Sequence, residues 1–326
     1  SAQPWCQAKV PSFQGKRQVV MSEAVTLTGV SKSFRKKRAV DELSLSVPPA
    51  SIYGFLGPNG AGKTTTMRMI LGIFAPDTGQ VNVLGVDDPT MVRERLGYLP
   101  EERGLYPKMK VVDQVAYFGT LKGMSSRTAR EAAMRRLHEY GLGDNTEQTC
   151  ESLSKGMAQK AQILATLLHD PELIVLDEPF SGLDPVNRDL MRDVILQLRA
   201  DGRSVIFSTH IMEQAEQICD HVVLIDGGRK IVDGPIDEVR GAGGGAVHLD
   251  YEGNLEPLHQ MQGVVHVNDT GRQAEVVLAD GVDPQGVLKK LVSGGVRLHT
   301  FDLRPPSLHE IFVRKVGRSV EEAAFA

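Results

Sequence analysis

The sequence predicts an α/β fold, a mostly parallel core sheet covered on both faces by helices, with a small α+β domain after it. Three observations predict it. From about Glu23 to Arg240, short apolar strands alternate with amphipathic helical stretches, the order that builds a parallel sheet. One of those strands runs through a glycine-rich loop directly into a helix. Finally, Gly241-Ala-Gly-Gly-Gly-Ala246 has the composition of a flexible linker and divides the chain into residues 21–240 and 247–326.

The strands are read at Ile52–Leu56, Leu173–Leu176, Val205–Ser208 and Val222–Ile225. The helix Lys63–Leu71 follows the glycine-rich loop, and Val186–Ala200 carries Leu190, Val194, Ile195 and Leu198 at helical spacing. Val111–His169 has almost no strand signal and reads as an inserted helical lobe. Beyond the linker, Val247–Tyr251 alternates as a strand and Leu255–Met261 reads as a helix. Val264–Val267 and Ala274–Leu278 suit a hairpin around Asp269-Thr-Gly271. Pro284–Leu291 is helical, Val296–Leu303 a strand and Ser307–Val316 a last helix. The order β-α-β-β-α-β plus a helix describes a ferredoxin-like α+β domain.

Composition narrows the class. Hydrophobic residues make up 41% and charged residues 24%, ordinary for a globular chain. A net charge of −4 gives no whole-chain basis for nucleic-acid binding. Cys6, Cys150 and Cys219 are odd in number and scattered, which fits a reducing cytosol better than a disulfide framework. No apolar run approaches the roughly 18 residues of a spanning helix. Residues 1–20 hold the only Trp and precede Met21, so they are expected to be a non-native or disordered extension. Five of the nine histidines (His248, His259, His266, His299, His309) lie beyond the linker without metal-ligand spacing, and are expected at the surface.

The glycine-rich loop carries the chemistry. Gly57-Pro58-Asn59-Gly60-Ala61-Gly62-Lys63-Thr64, continued by Thr65, fits G-x-x-x-x-G-K-[ST] in its required strand–loop–helix setting. Its backbone N–H groups and the helix N-terminus suit phosphate oxygens. Lys63 is expected on the β- and γ-phosphates of a nucleotide, and the Thr64 hydroxyl on Mg²⁺. The strand Leu173–Leu176 ends in Asp177 and Glu178, and two acids at a buried tip incur desolvation unless a metal and a water employ them. Asp177 is therefore expected to hold Mg²⁺ through a water, with Glu178 as general base on the attacking water. His210 follows the next core strand at the same sheet edge.

Together these residues resemble the ATP-binding-cassette ATPases, over roughly residues 22–240. Leu153-Ser154-Lys155-Gly156-Met157 is similar to the family's LSGGQ signature, 23 residues ahead of Asp177. Ser181-Gly-Leu-Asp184 resembles the D-loop, His210 takes the switch-histidine position, and Phe34 resembles the aromatic that stacks on adenine. The resemblance implies a P-loop cassette with an antiparallel N-terminal β subdomain. It implies ATP hydrolysis to ADP and phosphate in a head-to-tail dimer, homo- or heterodimeric, with Ser154, Gly156 and Asp184 completing the partner's site. An integral-membrane transporter subunit at the cytoplasmic face of the cell membrane is the implied partner, and nucleic acid is not.

The chain departs from the family at three positions. Lys155 replaces Gly and Met157 replaces Gln in the signature, and Glu101 replaces the Q-loop glutamine, bringing another acid towards the metal. The stretch Glu101–Pro107 and the final Ser307-Leu-His-Glu-Ile-Phe312 resemble bacterial sodium-extrusion and drug-exporter ATPases with a C-terminal extension. Two other classes compete. Soluble cassette ATPases acting on nucleic acid or ribosomes usually carry paired cassettes, zinc modules or long coiled coils, none legible here. P-loop kinases and GTPases lack a signature helix. The basic run Lys32–Arg38 reads as a solvated turn between strands rather than a lipid contact.

Overall fold

In the first sheet, alternation decides which face is inside. Val25, Leu27 and Val30 of β1 (Val25–Phe34) and Val40, Leu43, Leu45 and Val47 of β2 (Lys37–Val47) enter one core. The computed structural model describes residues 23–35, 37–102, 104–241, 245–259, 261–279 and 281–317. The extension expected at 1–20, Cys6 and positions 242–244 of the expected linker lie outside them.

The chain forms two units that divide between Asp233 and Gly234. In chain order the first continues with β3 (Ile52–Leu56), α1 (Lys63–Ile70), β4 (Thr78–Val83), β5 (Leu96–Leu99), α2 (Val111–Leu121), α3 (Ser126–Glu139) and α4 (Lys155–Leu167). Then come β6 (Leu173–Leu176), α5 (Pro185–Ala200), β7 (Ser204–Thr209), α6 (Met212–Ile218), β8 (His221–Asp226) and β9 (Arg229–Pro235). A three-stranded antiparallel sheet has the order β2-β1-β4, and a six-stranded sheet the order β5-β6-β7-β3-β8-β9. The pairs β5/β6, β6/β7, β7/β3 and β3/β8 are all parallel. Every residue of β3, β6 and β7 is buried, as strands covered on both faces must be.

The helical lobe packs α2, α3 and α4 around Val111, Val112, Val115, Leu137 and Leu164. Ala129, Ala133 and Ala161 are fully buried there, small enough for the helices to approach closely. β3 and β6 coincide with the expected strands, and β7 and β8 extend one residue further at each end. The short β5, β9 and α6 carried no clear sequence signal.

The second unit runs α7 (Ile236–Gly241), β10 (Ala246–Glu252), α8 (Glu256–His259), β11 (Val264–Asp269), β12 (Gln273–Leu278), α9 (Pro284–Ser293), β13 (Arg297–Arg304) and α10 (Leu308–Val316). Its antiparallel sheet has the order β11-β12-β10-β13, that of a ferredoxin-like fold. Val247, Leu249, Tyr251, Val276 and Leu278 bury one face with Leu258 of α8 and Val287 and Leu291 of α9. The opposite face carries His248, Asp250, Glu275, Thr300 and Asp302 around an open hollow of about 400 Å³. A capping box between Ser307 and Glu310 starts α10.

Candidate active site

β3, β6 and β7 end side by side, and the residues just past their ends meet. After Leu56 the chain enters the glycine-rich loop, where only glycine fits at two points. A Cβ on Gly57 (φ 151°) would lie 2.1 Å from the Ile225 carbonyl oxygen, and one on Gly62 (φ 107°) 2.4 Å from that of Ala39. No side chain caps α1, so its first N–H groups remain available to phosphate oxygens. Lys63 is buried, and its ammonium donates to the carbonyls of Gly57 (2.7 Å) and Pro58 (3.1 Å). It lies 3.6 Å from Glu178 Oε1. Burial pulls the Lys63 pKa below the ordinary lysine value, opposed by the carboxylates of Glu178, Asp177 and Glu101.

Asp177 is 3% exposed, and its backbone N–H donates to Leu99 O of β5. Its Oδ1 accepts from Ser208 Oγ (2.7 Å) and from Thr64 Oγ1 (3.2 Å). Glu178 turns the chain sharply with φ 48°, a left-handed conformation costing roughly 1–2 kcal/mol in a non-glycine residue. Its N–H donates to the same Ser208 Oγ (2.9 Å), so one hydroxyl fixes both acids. Glu178 Oε2 is 3.1 Å from His210 Nδ1, while Oε1 is buried without a hydrogen-bond partner.

The hollow beside these groups measures about 490 Å³ and is lined by the loop from Asn59 to Thr65, with Lys37, Ala39, Glu101 and Glu178. Glu101 is exposed on its rim. Past it, the fully buried Gln114 of α2 accepts from Tyr106 N–H (2.9 Å) and donates to Gly104 O (3.4 Å).

Other expected residues lie outside this hollow. Phe34 is 43% exposed and meets Phe74 edge-on with ring centres 5.4 Å apart. Ser154 caps α4 by accepting from Met157 N–H, and Asp184 caps α5 by accepting from Asn187 N–H. The two helix starts touch: a Cβ on Gly156 would lie 2.4 Å from the Asn187 amide nitrogen, and one on Gly182 2.7 Å from Lys155 Nζ.

The donors suit Mg²⁺, which takes oxygen ligands and retains waters. Thr64 Oγ1 and Asp177 Oδ1 already face each other. Among the described residues no three His, Cys, Asp or Glu side chains cluster to hold a metal, so phosphate and water would supply the remaining ligands. Sequence reasoning overlooked Ser208 and Lys37. Ser208 had a signal, since a hydroxyl beside Thr209 interrupts an apolar run whose register places it next to Asp177.

The fold and site define a P-loop nucleotide hydrolase. A family model described as ABC transporter matches residues 40–181, and one described as ATP-binding protein DrrA1-3-like, C-terminal domain, matches residues 234–316. The chain is 39% identical over 298 residues to an uncharacterized ABC transporter ATP-binding protein, YhaQ, of Bacillus subtilis, covering 91% of this chain and 100% of that one. It is 36% identical over 314 residues to Nod factor export ATP-binding protein I of Rhizobium meliloti, covering 93% and 91%. The solved ATP-binding subunit of an ABC transporter matches with a TM-score of 0.61 and 28% identity, over 67% of this chain and 92% of that one. A dimeric ATP-binding cassette bound to ADP and Pi, 21% identical with a TM-score of 0.60 over 65% and 98%, shares the fold. The chain belongs to the ABC transporter ATP-binding protein family. It is therefore the subunit that binds ATP and hydrolyses it to ADP and phosphate.

Proposed function

We propose that this chain powers export through an integral-membrane subunit, bound at the cytoplasmic face of the cell membrane and working as a head-to-tail pair of ATPase subunits. The carrying observation is that Ser154, Gly156 and Asp184 sit on two touching helix starts and do not line their own chain's phosphate hollow. A second subunit gives them a role. Export is supported by the kinship to Nod factor export ATP-binding protein I. Among the described residues no helix is long and apolar enough to cross a membrane.

In the proposed cycle Lys63 exchanges the Gly57 and Pro58 carbonyls for phosphate oxygens, and the Asn59–Thr65 backbone cradles the phosphate chain. Mg²⁺, held by Thr64 and Asp177, would neutralise phosphate charge. Ser208 ties the Asp177 carboxylate to the Glu178 backbone. His210 engages Glu178 Oε2, and once Lys63 has moved from beside Oε1 to the phosphates, Oε1 polarises the attacking water and takes its proton. Glu178→Gln tests the reading. It should bind ATP, lose turnover by about 10²–10⁴-fold, and accumulate an ATP-dependent dimer on size exclusion. Near-normal turnover would remove Glu178 as the base, and a monomer at saturating ATP would remove the dimer.

A further inference from the structure

The basic run at the β1–β2 turn divides into paired and unpaired cations. Lys32 Nζ bonds Asp77 Oδ1 at 2.7 Å and the Ala75 carbonyl at 2.7 Å. Arg38 bonds Asp41 Oδ1 at 2.5 Å. Among the described residues Lys37 pairs with no carboxylate; it lines the phosphate hollow, with its Nζ 3.9 Å from the position of a Cβ on Gly60. Strand geometry explains the split. Residues two apart face one side, so Lys37 and Ala39 both border the glycine-rich loop, while Arg38 between them turns to Asp41. The Ala39 carbonyl presses on Gly62, which fixes the start of β2 against the loop.

We infer that Lys37 is a second phosphate-recognising cation of the nucleotide site, contacting non-bridging oxygens of the phosphate chain at the Gly60 rim. Lys63 is buried and held by two carbonyls and Glu178, whereas Lys37 is an exposed point charge on a flexible stem. The contact therefore forms equally in ground and transition states and acts on affinity. It reads the phosphates and is indifferent to the base. Within the run expected as a solvated turn, Ser33, Phe34, Arg35, Lys37 and Arg38 are exposed and Lys32 is half-buried against Asp77, while Lys37 borders the hollow.

The test titrates the full chain with ATP and with ADP in Mg²⁺ at low and high salt. The variants are Lys37→Gln, Lys37→Arg and Arg35→Gln, the last a cation of the same turn that does not line the hollow. Lys37→Gln should weaken both nucleotides by about 3- to 10-fold, less at high salt, with the loss falling on KM rather than kcat. Lys37→Arg should restore most of the affinity and Arg35→Gln should match the parent. Parent-like affinity in Lys37→Gln would overturn the assignment. An equal loss in Arg35→Gln would also overturn it, because a diffuse field would then suffice. Neither result touches the export reading, which needs no particular contact at Lys37.

Discussion

The two principal sheets place their polar side chains in opposite positions. In the six-stranded sheet β3, β6 and β7 are buried along their whole length, and charge appears only where the strands run out, at Lys63, Asp177, Glu178 and His210. In the four-stranded sheet polarity runs along the strands themselves, at His248 and Asp250 of β10 and Glu275 of β12, on a face that borders an open hollow and meets Glu310 of α10. A parallel sheet covered on both faces has no room for an unpartnered polar group mid-strand. Its chemistry is pushed to the tips, where each group is held by a neighbour. On an antiparallel sheet such polar groups can pair across strands and with a neighbouring helix, as Glu275 does with His248 at 3.9 Å and with Glu310 of α10.

Ser208→Ala is the strongest way to break the contrast. The hydroxyl holds both the Asp177 carboxylate and the Glu178 N–H, so its loss should shift the acids and lower kcat by about 10²-fold. Steady-state ATPase assays at saturating Mg-ATP measure this, and an unchanged kcat would mean that the strand tip holds itself.

Histidines sharpen the contrast with a smaller effect. His169, between α4 and β6, bonds the Leu96 carbonyl at 3.0 Å, and burial pushes its pKa down to about 4. The Leu96 bond and Asp170 pull the other way, while the Lys122 and Arg203 cations add to the fall. In the unfolded chain the group titrates near 6.5, so below that pH the unfolded state binds the extra proton. Stability is then full above about pH 6.5 and lost as the pH falls towards 4, by an amount of order 2 kcal/mol. Urea unfolding across that window should show the slope, and His169→Gln should flatten it.

The open sheet face should give the smallest effect. Asp250→Asn removes a charge that lines an open hollow of the second unit, and ATPase activity should stay within about 2-fold. A larger loss in the same assay would make that face part of the working machinery and erase the contrast.

What the sequence made legible follows the same division. β3 and β6 could be read to the residue because an unbroken apolar run ending in glycine or acid has little else to be. The second unit was legible because Pro284 after Asp283, the Asp269–Gly271 turn and the Ser307/Glu310 cap punctuate it chemically. β5 was hidden because it is four residues long and contains Gly97, whose missing side chain lets Pro171 and the Thr166 carbonyl approach within about 3 Å of the Cβ position. β9 was hidden because its exposed Arg229 and Lys230 give it no apolar face. At the site, the acids and Lys63 stood out as residue types misplaced in a core. Ser208 and Lys37 belong to types common at surfaces, and only the strand register brings Ser208 to Asp177 and the hairpin brings Lys37 to the hollow.

Gln114 gives the lobe a short leash. Its two bonds pin Tyr106 and Gly104 to α2, and Gly104 follows Glu101 of the nucleotide rim by three residues. Fully drawn out, those three residues span about 11 Å. Moving Tyr106 or Gly104 away from α2 would strip a fully buried amide of its partners, a cost of about 1–3 kcal/mol for each group left unsatisfied. Gln114 shares that anchoring with Leu105, which packs on the lobe core, and with Tyr106, whose ring meets Tyr117 of α2 edge-on.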